Sequence, residues 1–164
     1  MDEDGFVAEG FQVLEAETTA RGRRAAIVAA RFNDFIVASL LKGAVGAWRE
    51  AGGGPGGLTL ARVPGAFELP LAVRRLAATR RYAALVALGC VIRGDTPHFD
   101  FVAGECARGL QLASLETGVP VGFGVLTVNT AEQALERAAL SGANKGAEAM
   151  RTALEMAGLI ELVA

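Results

Sequence analysis

Apolar positions along the chain fall into two kinds of run. Short unbroken runs, RAAIVAA (24–30), GLTLARV (57–63), YAALVALGCVI (82–92) and VPVGFGVLTV (119–128), predict strands. YAALVALGCVI has no polar alternation and reads as a strand covered on both faces. Between the strands the spacing turns helical. In NDFIVASLLKGAVGAWREAG, Val37, Leu40, Leu41, Ala44, Val45 and Trp48 share a face. Asn33 or Asp34 can cap that helix, and Gly52 ends it. Pro70 is tolerated in the first turn of the next helix, LAVRRLAATRR. FVAGECARGLQLASLE predicts a third helix. Thr130 and Gln133 form a capping box for AEQALERAAL. SGANKG breaks that helix before AEAMRTALEMAGLI forms the last one. Strands alternating with helices imply an α/β fold with a parallel sheet and right-handed crossovers. FQVLEA is short, strand-like and separated from this core by ETTARGR.

Composition narrows the class. A length of 164 residues suits one domain with a real core, and 21 % charged residues suit a folded chain. The net charge of −2 comes without a basic block, so nucleic acid is not expected as a partner. No apolar run is long enough to span a bilayer, and the acidic start MDEDGFVAEG is not a signal peptide. A cytoplasmic location is expected. Two cysteines, Cys90 and Cys106, are too few for a disulfide framework and lack metal-ligand spacing, so no metal is expected.

The candidate chemistry follows the strands. Arg31 and Asn33 come after the first, Glu68 after the second, Arg93 to His98 after the third, and Asn129 to Arg137 after the fourth. Open α/β sheets bind ligands at this edge, beside helix N-termini that attract anions. His98, the only histidine, lies in RGDTPH, a turn with Gly94, Thr96 and Pro97. Phe32, Phe67, Phe99 and Phe123 fall near strand ends or in the following turns, where they can stack on a planar ring or close the top of the core. Arg137 and Lys145 suit an anion, although either could be an ordinary solvated cation. Several motifs are excluded. AGGGPGG lacks the Lys-Ser/Thr ending of a phosphate loop and leads into a strand, and neither GxSxG nor GxGxxG occurs where its chemistry needs it. The residue types point to proton transfer on a phosphorylated substrate with a flat partner.

Five blocks, ARFNDFI, VPGAFELP, ALGCVIRGDTPHFDFVAGE, GVLTVNTAEQALERA and NKGAEA, together resemble the 6,7-dimethyl-8-ribityllumazine synthase family of riboflavin biosynthesis. The likeness runs from about Val13 to the C-terminus, leaving residues 1–12 as an acidic extension expected to be mobile and 13–164 as one domain. It implies a flavodoxin-like three-layer sandwich, a four-stranded parallel sheet with helices on both faces, and an N-terminal strand that adds to a neighbouring subunit. It implies a transferase that condenses 5-amino-6-(D-ribitylamino)uracil with 3,4-dihydroxy-2-butanone 4-phosphate, without metal or redox cofactor. A flavin- or lumazine-binding protein without catalysis, and a riboflavin synthase of the archaeal type, are the alternatives on the same scaffold.

Carried over by position, the resemblance makes His98 the proton-transfer residue and Phe32 the ring that stacks on the pyrimidine. Ala66, Phe67 and Glu68 would hold the ribityl side, while Cys90, Val91 and Ile92 would line the pyrimidine pocket. Asp95 and Thr96 would meet the phosphate, and Lys145 would sit beside the site. Phe123 and Arg137 would come from the neighbouring subunit, with Arg137 on the phosphate. The family builds pentamers, some of which close into icosahedral shells of sixty copies, and riboflavin synthase is a candidate partner. AALSGA before NKG is the compact turn without insertion, which implies the shell, with a free pentamer as the other outcome.

Overall fold

The computed structural model describes residues 3–164, so the first two residues of the acidic extension lie outside it. The chain runs α1 (Glu3–Ala8), β1 (Ala25–Ala30), α2 (Asp34–Glu50), β2 (Leu58–Val63), α3 (Leu69–Ala78), β3 (Ala84–Ile92), α4 (His98–Thr117), β4 (Val121–Val128), α5 (Ala131–Ala138) and α6 (Lys145–Val163). The strands form one parallel sheet in the order β2-β1-β3-β4. The parallel sheet is the one expected from the alternation of runs, and its four strands match the α/β fold the resemblance implies.

Burial explains the composition of the central strands. All six residues of β1 and the first seven of β3 are buried, so their side chains must be apolar on both faces. Ala25, Ile27 and Ala29 point to one core with Val37, Leu40 and Trp48 of α2 and Met150 and Leu154 of α6. Ala26, Val28 and Ala30 point to the other with Leu69 and Val73 of α3 and Cys106 and Leu110 of α4. Helices α2, α5 and α6 therefore cover one face, and α3 and α4 the other.

The local signals meet the structure at most boundaries. Pro70 occupies the first turn of α3, and Gly52 takes φ +91 just beyond α2. Thr130 Oγ1 accepts from the Gln133 N–H (3.2 Å), while Gln133 Oε1 reaches back to the Asn129 N–H (2.8 Å), one residue earlier than in the usual box. The glycine-rich run wraps the Trp48 indole, whose Nε1 donates to Gly54 O (2.9 Å). Residues Glu3–Ala8 form a short helix, with Phe6 edge-on to Phe11 at 5.5 Å, and FQVLEA forms no strand within this chain. Arg23 ties the end of this segment to α6, donating to Thr19 O (2.6 Å) and pairing with Glu161 (3.0 Å).

Helix α6 lies close over β4, and a side chain is missing where they touch. A Cβ on Gly122 would stand 2.2 Å from the Ala149 carbonyl oxygen, a backbone atom that cannot swing aside. Gly122→Ala should therefore force the two elements apart and lower stability by roughly 1–3 kcal/mol. Denaturant or thermal melting of the variant beside the parent checks this, and an unchanged midpoint would contradict the close packing.

Candidate active site

Strand β1 is flanked by β2 and β3, and the chain leaves β1 and β3 toward opposite faces of the sheet. Such a switch point opens a crevice beyond the carboxyl ends of the strands. A cavity of about 750 Å³ lies there. Phe32 and Asn33 enter it from the end of β1, and Ala66, Phe67 and Glu68 from the 3₁₀ turn before α3. Cys90, Val91 and Ile92 come from the end of β3, and His98, Phe99, Phe101 and Val102 from the start of α4. The walls are mainly apolar and aromatic, with Asn33, Glu68 and His98 as the polar side chains, which suits a flat, partly polar ligand.

Asn33 does something other than capping. It stands at the N-cap position of α2 but in the left-handed region (φ 58, ψ 46), and its side chain makes no cap bond. Asparagine tolerates that conformation better than most residues. Its carbonyl accepts the N–H groups of Ile36 and Val37, both at 3.1 Å. Its side chain turns instead across the switch point, where Nδ2 donates to Cys90 O (2.8 Å). One amide thus ties the ends of β1 and β3 and sets one wall of the cavity. Asp34, the other capping candidate, pairs with Arg62 of β2 (3.0 Å).

His98 is the first residue of α4, three residues before the helix start expected from FVAGECARG. The earlier start puts His98, Phe101 and Val102 on one helix face, at spacings of three and four. Phe101 and Val102 were missed for that reason. A helix boundary drawn at Pro97, whose ring suits an N-terminal turn, would have found them. The imidazole is exposed, and the His98 N–H donates to Thr96 Oγ1 at 3.4 Å. Phe99 is held by Arg93, whose guanidinium carbon lies 4.3 Å from the ring centroid. Arg93 also donates to Asn129 Oδ1 (3.1 Å) and pairs with Asp100 (3.3 Å), so its charge is already engaged.

The remaining residues singled out in the sequence lie outside the cavity. Asp95 and Thr96 are exposed in the loop between β3 and α4. Phe123 is not at a strand end. It is the third residue of β4, opposite Ala87, because pairing with β3 continues for five residues beyond it to Val128. There it lines a separate hollow of about 420 Å³ with Arg93, Phe99 and Asn129. Arg137 lies in the last turn of α5 and donates to Gln133 O (3.1 Å), beside Glu136. Lys145 opens α6 and pairs with Glu148 (2.8 Å). A single copy thus gathers Phe32, Ala66, Phe67, Glu68, Cys90, Val91, Ile92 and His98 around one cavity, and leaves Phe123, Arg137 and Lys145 away from it.

Burial pushes the thiols of Cys90 and Cys106 up to about 11. Neither is a thiolate near neutral pH, so neither is a ready nucleophile or metal ligand. Among the described residues no three His, Cys, Asp or Glu side chains come together as a metal site. Both thiols should react slowly with a disulfide reagent in the native protein at pH 7, and the rate should climb with pH toward 11. Absorbance of the released thiolate, with and without denaturant, checks this; a fast native-state reaction at pH 7 would contradict the burial.

The family model described as 6,7-dimethyl-8-ribityllumazine synthase matches residues 22–161. A protein of Chlorobium luteolum (strain DSM 273 / BCRC 81028 / 2530) named 6,7-dimethyl-8-ribityllumazine synthase is 50 % identical over 146 residues. The aligned part covers 89 % of this chain and 94 % of that relative. The matched stretch carries the whole sheet and every residue that lines the cavity, and on this ground the chain belongs to the 6,7-dimethyl-8-ribityllumazine synthase family.

Proposed function

We propose that this chain condenses 5-amino-6-(D-ribitylamino)uracil with 3,4-dihydroxy-2-butanone 4-phosphate, releasing phosphate and water, in the cavity at the switch point. The observation that carries the reading is the lining of that cavity. Phe32 and Asn33, the run Gly65 to Glu68, the run Cys90 to Ile92, and His98 with Phe99, scattered over the sequence, converge on one aromatic crevice that holds a single imidazole. In this reading Phe32 stacks on the pyrimidine, and Cys90, Val91 and Ile92 present backbone groups to its edge. Glu68 accepts hydrogen bonds from the ribityl hydroxyls. Asp95 and Thr96 meet the phosphate.

The chemistry suits these groups. The 5-amino nitrogen attacks the ketone, and loss of water gives an imine. Elimination of phosphate leaves an enol, which tautomerises to a second ketone. The 6-amino nitrogen attacks that ketone, and loss of a second water closes the ring. Each step moves a proton near neutral pH, where imidazole is best matched, and His98 is the residue for it. No covalent nucleophile is needed, in keeping with two protonated thiols. Holding two substrates in one crevice supplies much of the acceleration. Among the described residues no Lys or Arg lines the cavity as one copy forms it. Phe123 and Arg137 complete it from the neighbouring subunit of a pentamer, Lys145 sits beside the site, and FQVLEA adds to a neighbour's sheet. The compact turn before Asn144 closes twelve pentamers into a shell. On this reading the enzyme works in the cytoplasm, and riboflavin synthase consumes its product.

The protein should form the fluorescent lumazine faster than the two substrates do alone. His98→Ala should lower turnover on the order of 10²-fold with pyrimidine binding largely kept. Arg137→Ala should chiefly raise KM for the butanone phosphate, by roughly 1.5–3 kcal/mol. Steady-state kinetics with each substrate varied in turn decides this, and a rate no higher than background would end the proposal. Light scattering on a sizing column tests the assembly. A shell of sixty 16.9 kDa chains has a mass of about 1 MDa, against about 85 kDa for a pentamer. A dominant species near the lower mass would rule out the shell.

A further inference from the structure

The described residues include one buried polar side chain, Asn144, at 5 % exposure. Burying an amide is costly unless its hydrogen bonds are made, and here they are. Oδ1 accepts the Ala147 N–H (3.0 Å) and caps α6. Nδ2 donates to Ala138 O (2.8 Å) at the end of α5 and to Ser39 O (3.1 Å) in α2. Three helices therefore meet on one amide. The space for it is shaped on the other side as well, since a Cβ on Gly43 would stand 2.0 Å from Asn144 Oδ1.

What these bonds hold is adjacent to chemistry. Ala138 directly follows Arg137, and Lys145 directly follows Asn144. Both cations are about half exposed, on helix termini joined by the turn 139–144. Without a tertiary tie, the last turn of an eight-residue helix would fray. We propose that Asn144 is the positioning residue for Arg137 and Lys145, a single buried amide that sets where two cations from different helices stand toward the phosphorylated substrate. This rests on the reading that these cations serve the condensation. Asn144 touches no substrate and acts through the backbone of its neighbours.

The test uses the full-length assembled protein and both substrates. Asn144→Ser keeps an oxygen for the α6 cap but cannot span to Ala138 O and Ser39 O. Asn144→Asp keeps the cap and replaces the donor with an acceptor facing two carbonyls. Either variant should raise KM for the butanone phosphate about tenfold, the scale of one lost hydrogen bond. KM for the pyrimidine should stay within about twofold, since the pyrimidine crevice is built from other elements. Adding Asn144→Ser to a variant carrying both Arg137→Ala and Lys145→Ala should raise that KM further by much less than it does in the parent, because Asn144 acts through those two groups. Equal effects on both substrates, full additivity, or no effect in an assembled variant would each overturn the proposal. So would failure of both variants to assemble, which would make Asn144 a residue of folding and not of positioning. An inactive parent protein would instead refute the functional reading itself.

Discussion

Complete burial of β1 is the constraint on which the rest depends. A strand between two others, with helices on both faces, has no surface for a polar side chain, and AAIVAA obeys that at all six positions. Small alanines also let α2 and α3 approach the sheet, so large side chains are kept for the helices that pack on it. Polar groups can then appear only where the strand ends. Arg31 and Asn33 follow at once, and the same logic puts Arg93 after β3, whose first seven residues are buried. The ligand edge is a product of core packing before it is a product of function.

The crevice at that edge is held by a few long-range polar ties. Asn33 joins the ends of β1 and β3 through Cys90 O. Arg93 joins the start of α4 to the end of β4 through Asp100, Phe99 and Asn129. Asn144 joins α2, α5 and α6. Each is a side chain next to a residue with a proposed chemical role, and each fixes backbone where loops would otherwise move. Scaffold and site are thus separated: apolar burial makes the sheet, and single amides or one guanidinium aim the loops it throws out.

Exposure marks where the structure is incomplete as chemistry. Phe32, Phe67 and Phe101 are each at least 60 % exposed around the cavity, an unusual amount of aromatic surface to leave in water. A flat ligand would cover part of it. In the proposed arrangement, where the resemblance to the family brings Phe123 and Arg137 from a neighbouring subunit, a second copy would cover more.

The sequence by itself determined the kind and order of the main elements, the parallel sheet, and the strand ends as the place where polar residues gather beside a cavity. Hydrophobic period and helix-end residues are local properties, so the runs at 24–30 and 82–92 and the Thr130–Gln133 pair could be read without neighbours. The motif blocks carried the family in the same way, through residues and spacing alone. Tertiary structure decided what depends on partners far along the chain. Asn33 looked like a cap, and only the nearness of β3 turns its amide to Cys90 O. Phe123 looked like a strand-end ring, and only the pairing of β4 with β3 shows that it lies mid-strand. Asn144 looked like a helix breaker, and only the meeting of three helices makes it a buried hub. A side chain's type is written in the sequence, but its direction and its hydrogen-bond partner are set by which distant backbone the fold brings alongside it.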